Sequence, residues 1–369
     1  MLSIVYICKN KNTKNMKPEQ IKLLEETLSF KNSKIPVALI ADSPWIPGYC
    51  GHTFIDYYAN NRIFIEDNRK IAKDFPDAIF VPSWWVEYGM TAEPSGFGCP
   101  MCYFDDNLPH LHPLTEDLDK AEEIFKALQQ PDPKTDGVMP FLLNQQRMYE
   151  PYMKEDGEEV YMVCARGPFT VASHIFTVTQ LLMLMMINPD AAANLLNKTT
   201  QMVIDWLKAQ LENVKTAKAI MVLDDVCGYF SPEDFQTLCQ PYMQKVFDAF
   251  PEYRHFFHND FTSDSCYPHL EQMGVNAFNF TYKVDIAEAR KLAGKNVVLM
   301  GNVPPMLLVT ETPERVYAET KKIIENYVAA NGSHHGLLLS TGGGLPMGAK
   351  KECIDALIQA VKDYNATLK

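Results

Sequence analysis

The sequence is poor in positive charge, and its Lys and Arg residues form no long run. It has 34 Lys and Arg against 46 Asp and Glu, which leaves a formal charge of −12 with neutral histidines. A nucleic-acid-binding surface needs clustered positive charge to contact phosphates. The charge balance therefore argues against nucleic acid as a partner and favours a small-molecule ligand.

The sequence also lacks a secretory signal and an uninterrupted membrane span. The apolar stretch Met1–Cys8 is short and has no basic leader. The longer stretch Phe169–Ile187 contains Thr170, Ser173 and other polar residues, which favours a buried amphipathic helix over a membrane helix. Its methionine-rich part, Met183–Met186, predicts helix core. The nine cysteines are scattered and odd in number, so we expect reduced thiols in the cytoplasm.

No glycine fingerprint of a dinucleotide-binding fold follows the first predicted strand. Instead, eight short apolar runs alternate with helical patterns, as in parallel strands buried on both faces. The predicted strands are Pro36–Asp42, Ala78–Ser83, Val160–Ala165, Ala219–Leu223, His255–His258, Ala277–Phe280, Val297–Met300 and Leu337–Ser340. Eight strand–helix units predict an α/β fold with a single (β/α)8 TIM barrel over residues 31–369, preceded by an N-terminal extension, residues 1–30. The alternative is an open, doubly wound sheet.

The gap between the second and third predicted strands, residues 84–159, is long and rich in proline, aromatic and acidic residues. It has no obvious core of its own, so we interpret it as a long insertion over the barrel mouth. Cys99 and Cys102, with His110 and His112, are residue types that bind metal. Their spacing matches no common zinc motif, and free thiols are the preferred interpretation.

Polar or glycine residues follow six of the predicted strands at their carboxyl ends. In a barrel these ends converge on one mouth, where such enzymes hold their active sites. We therefore predict a small-molecule site there. Its predicted catalytic residues are His258, Asp260, Asp224 and Asp225, and its predicted substrate-binding residues are Arg166, Asn302, Tyr229, Gly342, Gly343 and Gly344.

Two of these assignments have structural alternatives. His258 either binds a metal, acts as an acid or base, or is only held in place by a hydrogen bond to Asp260. In the Asp224–Asp225 pair, one carboxylate could cap the next segment while the other faces solvent. If both faced inward, like-charge repulsion would raise the pKa of one of them, as a general acid requires.

The same segments resemble the uroporphyrinogen decarboxylase superfamily. The resemblance rests on Ala165–Thr170, Asp224–Asp225 followed by Ser231–Pro232, Gly301–Pro305 and Thr341–Pro346, in matching order over roughly residues 155–365. The Gly-Asn-Val-Pro element is the most specific of these motifs. The superfamily contains heme-pathway decarboxylases and zinc-dependent methyltransferases that work with corrinoid proteins or thiols.

Two departures separate these branches. The decarboxylases carry an early arginine-rich segment for the substrate's carboxylates, whereas no arginine precedes Arg62 here. The methyltransferases bind zinc through a His-x-Cys pair and a later cysteine, which correspond here to His258, Asp260 and Gly343. Zinc held by His258 and Asp260 would therefore have harder ligands. A third ligand would have to come from Asp224, Asp225, Glu93, Cys99 or Cys102.

The resemblance implies a corrinoid-dependent methyltransferase that acts on a small substrate of the methoxy or methylamine type. A corrinoid protein would then be its partner, and zinc and corrinoid its cofactors. Two alternatives stay open at this stage. One is a decarboxylase or lyase acting on a small carboxylic acid held by Arg166, with Lys283 as a second candidate cation, and the other is a non-catalytic ligand-binding protein.

Overall fold

Eight parallel strands form one curled sheet in the computed structural model, which describes residues 18–368. Along the sheet the strand order is β2-β1-β10-β9-β8-β7-β6-β5. A short antiparallel hairpin, β3–β4, lies outside it. The strands are β1 Val37–Leu39, β2 Ala78–Phe80, β3 Met101–Cys102, β4 His110–Leu111, β5 Met162–Arg166, β6 Ala219–Leu223, β7 Arg254–Asn259, β8 Ala277–Phe280, β9 Val298–Val303 and β10 Leu337–Thr341.

This order is that of a (β/α)8 barrel, and each predicted strand overlaps an observed one. Seven neighbouring pairs are hydrogen-bonded, and β2 and β5 lie at the two edges. Within residues 18–368, no backbone hydrogen bonds pair β2 with β5. The curled sheet is therefore not closed by strand pairing. The α/β class and the parallel eight-stranded sheet are confirmed, and a fully paired barrel is not.

Continuous apolar strands are explained by burial on both faces. Along β6, Ala219, Met221 and Leu223 belong to an inner core cluster, whereas Ile220 and Val222 pack against the surrounding helices. Successive side chains of a strand point to opposite faces, so both sets are buried and no polar alternation appears in the sequence.

Helices surround the sheet and also fill several of its loops. A π-helical turn, Phe235–Cys239, lies between the helices Pro232–Asp234 and Gln240–Asp248. Two 3₁₀ turns, Val226–Tyr229 and Tyr267–His269, follow β6 and β7. The helices are α1 Pro18–Leu28, α2 Ile46–Cys50, α3 Phe54–Ala59, α4 Asn61–Asp74, α5 Ala92–Gly96, α6 Leu118–Ala127, α7 Met139–Asp156, α8 Pro168–Phe176, α9 Val178–Ile187, α10 Pro189–Asn213, α11 Pro232–Asp234, α12 Gln240–Asp248, α13 Ile286–Leu292, α14 Leu307–Thr310, α15 Pro313–Asn331 and α16 Lys351–Asn365.

Helix α1 closes the amino-terminal end of the sheet. Its Ile21, Leu24 and Leu28 join the inner core cluster. Gln20 donates to the carbonyl of Ala78, the first residue of β2. The carboxyl ends of the strands lie at the opposite end of the sheet, which is therefore the open mouth. Residues 1–17 of the predicted N-terminal extension, residues 1–30, lie outside the described residues.

The prediction that residues 84–159 form an insertion over the mouth is not confirmed. Helix α7 packs between α4 and α10, and α6 packs against α10, so both belong to the outer helix layer. The start of the segment does reach the mouth, because Glu87 and Glu93 contact Arg166.

Among the described residues, no single helix is both long and apolar enough to cross a membrane, and α8 with α9 qualifies only as a pair bent by 100°. Helix α8 is largely buried. The prediction that Met183–Met186 is helix core is confirmed for Leu184 and in part for Met185, but it is wrong for Met183 and Met186, which are 45% and 86% exposed. Leu181 and Leu184 take the inner face of α9, and helical periodicity turns those methionines outward.

Candidate functional site

Strand alternation places one set of polar side chains on the inner face at the mouth. The inner cluster contains Met162 and Cys164 of β5, Phe256 of β7 and Met300 of β9. Every second side chain of a strand points to the same face. When this alternation is continued from the inner cluster towards the carboxyl end of each strand, the next inward-facing residues are polar. These positions are Arg166, His258 and Asn302, and the same count gives Asp42 after β1, Asn279 on β8 and Asp225 after β6.

His258 is held in one orientation by Asn279. Nδ1 of His258 lies 2.7 Å from Oδ1 of Asn279. The Asn279 amide nitrogen donates to the carbonyls of Met300 at 2.8 Å and Thr341 at 3.0 Å, which identifies Oδ1 as its acceptor atom. Nδ1 of His258 must therefore carry a proton, and in the neutral ring Nε2 keeps a free lone pair.

Asp225 and Asp260 face this free nitrogen. One potential ligand atom from each of His258, Asp225 and Asp260 lies within 4.8 Å of the others. Nε2 of His258 is 3.6 Å from Oδ1 of Asp225, which also accepts the Asp260 backbone N–H at 2.9 Å. An imidazole nitrogen with two carboxylates is a donor set that zinc accepts. The hydrogen bond expected between His258 and Asp260 is replaced by the one to Asn279.

Asp224 points the other way, towards α8. Its two oxygens accept the backbone N–H groups of Phe169 at 2.8 Å and Thr170 at 3.1 Å, and the Thr170 hydroxyl at 3.0 Å. Burial raises the pKa of Asp224 to about 7, against the opposing effect of these hydrogen bonds. A Cβ on Gly167 would lie 2.4 Å from Oδ2 of Asp224, so glycine is needed there. This geometry is a helix cap, and it does not support the predicted catalytic role of Asp224.

Arg166 is already engaged within the protein. Its Nη2 lies 2.7 Å from Oε2 of Glu87, and its guanidinium carbon lies 4.9 Å from the centre of the Trp85 ring. The Arg166 backbone N–H donates to Glu93 at 2.8 Å. Burial raises the pKa of Glu93 to about 7. The predicted substrate contact of Arg166 would have to compete with this ion pair.

Asn302 and the glycines shape the loops of the mouth. Asn302 donates to the carbonyls of Thr281 at 3.2 Å and Val284 at 2.8 Å, which ties down the loop after β8. A Cβ on Gly342 would lie 2.5 Å from the backbone nitrogen of Tyr282 in the same loop. The contacts of Asn302 and Gly342 in this structure are therefore internal, and their substrate-binding role stays a prediction.

The next two glycines lie beside two carboxylates. A Cβ on Gly343 would lie 2.8 Å from Oδ2 of Asp260, and one on Gly344 would lie 3.6 Å from Oδ2 of Asp42. Gly343 also has a φ of +126°, which L side chains rarely adopt. The absence of side chains here leaves room for both carboxylates at the mouth.

Tyr229 lies at the rim, 52% exposed, with its ring centre 4.2 Å from that of Phe261.

The cysteines of the 84–159 segment do not join the cluster around His258. Cys99 is buried and Cys102 is exposed, and both are free thiols, as are the other described cysteines. Among residues 18–368, the three-residue group around His258 is the candidate metal site.

The predicted set left out Asp42, Glu87 and Asn279. Asn279 and Asp42 could have been found from strand alternation, since each lies two residues beyond an inward apolar residue. The position of Glu87 carried no such signal, because it lies in a loop without regular structure.

The chain matches the family model described as uroporphyrinogen decarboxylase (URO-D) over residues 49–364. It is 28% identical to the uroporphyrinogen decarboxylase of Aliivibrio salmonicida (strain LFI1238) over 247 residues, which are 64% of this chain and 66% of that protein. It is 27% identical to the uroporphyrinogen decarboxylase of Aeromonas salmonicida (strain A449), over 67% of this chain and 70% of that protein.

The fold is also similar to that of solved structures. A methyltransferase from Methanosarcina mazei superposes with a TM-score of 0.77 at 19% identity, covering 92% of this chain and 97% of that one. A putative vitamin-B12-independent methionine synthase from Listeria monocytogenes gives a TM-score of 0.50 at 13% identity, covering 91% and 99%. At these identities the likeness concerns the fold alone.

Proposed function

The chain belongs to the uroporphyrinogen decarboxylase family, and from this premise we propose that it is a methyltransferase. Its reaction would move a methyl group between a small methylated substrate, of the methoxy or methylamine type, and a corrinoid protein. One observation carries the proposal: the free Nε2 of His258 faces the carboxylates of Asp225 and Asp260 at the mouth. The superfamily's methyltransferases use a zinc site, and this group has the residues for one.

His258, Asp225 and Asp260 would hold a zinc ion, and Asn279 would keep Nε2 of His258 directed at it. When bound, the ion would act as a Lewis acid towards the heteroatom that carries the methyl group. The Asp260 backbone N–H restrains Asp225 through its 2.9 Å hydrogen bond. Three protein ligands leave one position for substrate, as catalytic zinc sites require.

Exposed apolar side chains around the mouth support docking of a protein partner there. Tyr229, Tyr282, Met306 and Met347 follow β6, β8, β9 and β10 and are 52%, 41%, 52% and 48% exposed. Apolar and aromatic side chains around a concave site are typical of interaction surfaces. A corrinoid protein seated on this rim would face the group around His258.

A decarboxylase acting on a small carboxylic acid is the second candidate, because the relatives named above are decarboxylases. Its main support in the site is Arg166, the cation expected to hold a carboxylate. That guanidinium is paired with Glu87, and Asp42 and Glu93 lie nearby. This acidic surrounding favours the methyltransferase over the decarboxylase.

The test combines metal analysis with a methyl-transfer assay. Purified protein loaded with zinc would be mixed with cob(I)alamin and a panel of methylamines and methoxyaromatics, and methylcobalamin would be followed by absorbance. We expect stoichiometric zinc and transfer from at least one substrate class. His258→Ala should lose both, whereas Asp264→Asn, an exposed carboxylate after β7, should keep both.

Two outcomes would contradict the proposal. One is a wild-type protein that binds no zinc, or that binds zinc as well after His258→Ala as before it. The other is release of carbon dioxide from a panel of small carboxylic acids without any methyl transfer, which would support the decarboxylase.

A further inference from the structure

A second group of polar side chains lies at the mouth, on the β1–β2 side of the sheet. Asp42 is the inward-facing residue after β1, and its Oδ1 is buried without a hydrogen-bond partner among the described residues. Burial raises the pKa of its carboxyl well above the ordinary value, and Glu87 adds to this rise while Arg166 opposes it. A buried carboxylate without a donor destabilises a fold, so its presence calls for a reason other than stability.

The polar neighbours of Asp42 form hydrogen bonds with one another and none with its Oδ1. Oε1 of Glu87 accepts the backbone N–H and the hydroxyl of Ser43 at 3.1 and 2.7 Å, and Oε2 pairs with Arg166. Glu93 accepts the backbone N–H of Arg166. The guanidinium of Arg166 is thus bonded to Glu87, and Oδ1 of Asp42 has no hydrogen bond to it.

A second polar group lies beside Asp42. The side chain of Tyr58 is 94% buried, and its hydroxyl lies close to Ser43, Asp42 and Glu87. The Tyr58 ring centre is 5.1 Å from that of Tyr88, which is 6.3 Å from that of Tyr103. Aromatic rings with surplus negative charge form a setting that attracts small organic cations.

We propose that Asp42 and Tyr58 form a subsite that binds a small protonated amine. The ammonium N–H would donate to Oδ1 of Asp42, and the N-methyl groups would contact the aromatic rings of Tyr58 and Tyr88. The positive charge would balance the carboxylate of Asp42, since Arg166 is already paired with Glu87. Identifying this amine as the methyl donor rests on the proposed function, and it selects methylamines over methoxy compounds.

Asp42 lies beside the same glycine turn as Asp260 of the group around His258. Gly343 and Gly344 separate the two sites, with Asp260 lying against the first glycine and Asp42 against the second. An amine held at Asp42 would therefore lie on the same glycine turn as Asp260. Transfer of the ammonium proton to Asp42 would free the nitrogen lone pair, which a Lewis acid at the group around His258 needs.

Binding would be measured calorimetrically at low ionic strength with the full-length protein. The probes are trimethylammonium chloride, tetramethylammonium chloride, which lacks an N–H, and sodium acetate. The variants are Asp42→Asn and the matched control Asp264→Asn, which removes an exposed carboxylate after β7.

We expect trimethylammonium to bind the wild-type protein more tightly than tetramethylammonium, and acetate not to bind. Asp42→Asn should weaken trimethylammonium binding roughly tenfold or more, because a charge-assisted hydrogen bond is lost. It should also raise the thermal midpoint of the ligand-free protein, since the unfavourable interaction of Asp42 with Glu87 is removed. Asp264→Asn should change neither.

Equal trimethylammonium affinity in the wild-type protein and Asp42→Asn would overturn the proposal, and so would preferential binding of acetate. A loss of binding with a lower thermal midpoint would also count against it, because Asp42 would then be structural. These measurements need neither metal nor corrinoid. Amine binding at Asp42 without methyl transfer would leave this subsite standing and reject the proposed function.

Discussion

Oδ1 of Asn279 lies 2.7 Å from Nδ1 of His258 and accepts a hydrogen bond from it. The assignment of this oxygen follows from the amide nitrogen of Asn279, which donates to two backbone carbonyls. This contact decides which ring nitrogen of His258 faces Asp225 with a free lone pair. The chemistry of the mouth therefore depends on an amide on the neighbouring strand.

The first prediction concerns this tautomer. In the neutral ring of His258 we expect the proton on Nδ1 and none on Nε2, as measured by ¹⁵N NMR of the imidazole. Asn279→Leu should give a mixture of tautomers and weaken zinc binding, since metal-ligand orientation is lost. Asn276→Leu, which alters the contact of Asn276 with the backbone of His255, should leave the His258 signals unchanged. A wild-type ring protonated on Nε2 would reject this account.

The second prediction separates the two adjacent carboxylates by stability. Asp224→Ala should lower the free energy of unfolding by about 2–4 kcal/mol, because the N–H groups of Phe169 and Thr170 lose their acceptor. Asp225→Ala should change it by less than about 1 kcal/mol, because that side chain is 44% exposed. Urea denaturation measures both.

The contact of Gly167 with Asp224 supplies a check on this cap. Gly167→Ala should also be destabilising, since its Cβ would lie 2.4 Å from Oδ2 of Asp224. In the double variant the contact with Oδ2 disappears, whereas the contact with the Cβ of residue 224 at 2.5 Å remains. The double variant should therefore lose less stability than the sum of the two single losses, but more than Asp224→Ala alone. Strict additivity would show that this contact does not determine the effect.

The third prediction concerns Gly343 and metal affinity. Gly343→Ala should weaken zinc binding, because the new Cβ would lie 2.8 Å from Oδ2 of Asp260 and displace that carboxylate. Gly348→Ala is the matched control, since Gly348 also has a positive φ but its nearest neighbour is Val309 at 3.6 Å. Competition with a chromogenic chelator measures the affinity. An equal effect of both variants would point to backbone strain alone.

The fourth prediction is a pH dependence that originates in Glu93. Burial raises its pKa from 4.5 to about 7, so between these values the folded state holds a proton that the unfolded state has lost. This contribution to stability is complete below about pH 4.5 and is lost as the pH rises to about 7. Glu93→Gln should therefore gain stability relative to the wild-type protein over this interval, by at most about 3 kcal/mol.

Urea denaturation of the wild-type protein and Glu93→Gln at pH 5 and pH 8 measures this difference. Comparing the two proteins cancels other groups that titrate in the same interval, such as His174, whose pKa is lowered to about 4. Glu123→Gln, an exposed glutamate, should track the wild-type protein at both pH values. A constant difference between Glu93→Gln and the wild-type protein would contradict the assignment.

The strands could be predicted because parallel strands buried on both faces leave continuous apolar runs, as in Ala219–Leu223. The polar residues after them could then be placed at one mouth, since parallel strands end at the same edge. The family resemblance rested on these same residues, and the family match over residues 49–364 agrees with it.

The sequence by itself determined which strands form the sheet and which loops meet at the mouth, because those follow from the local periodicity and polarity of each segment. The tertiary structure decided which side chains act together there. Asp224 and Asp225 are chemically equivalent in the sequence, but their opposite orientations make one a helix cap and the other a neighbour of His258. Asn279 and Glu87 come from other elements, and such pairings depend on distances that only folding sets.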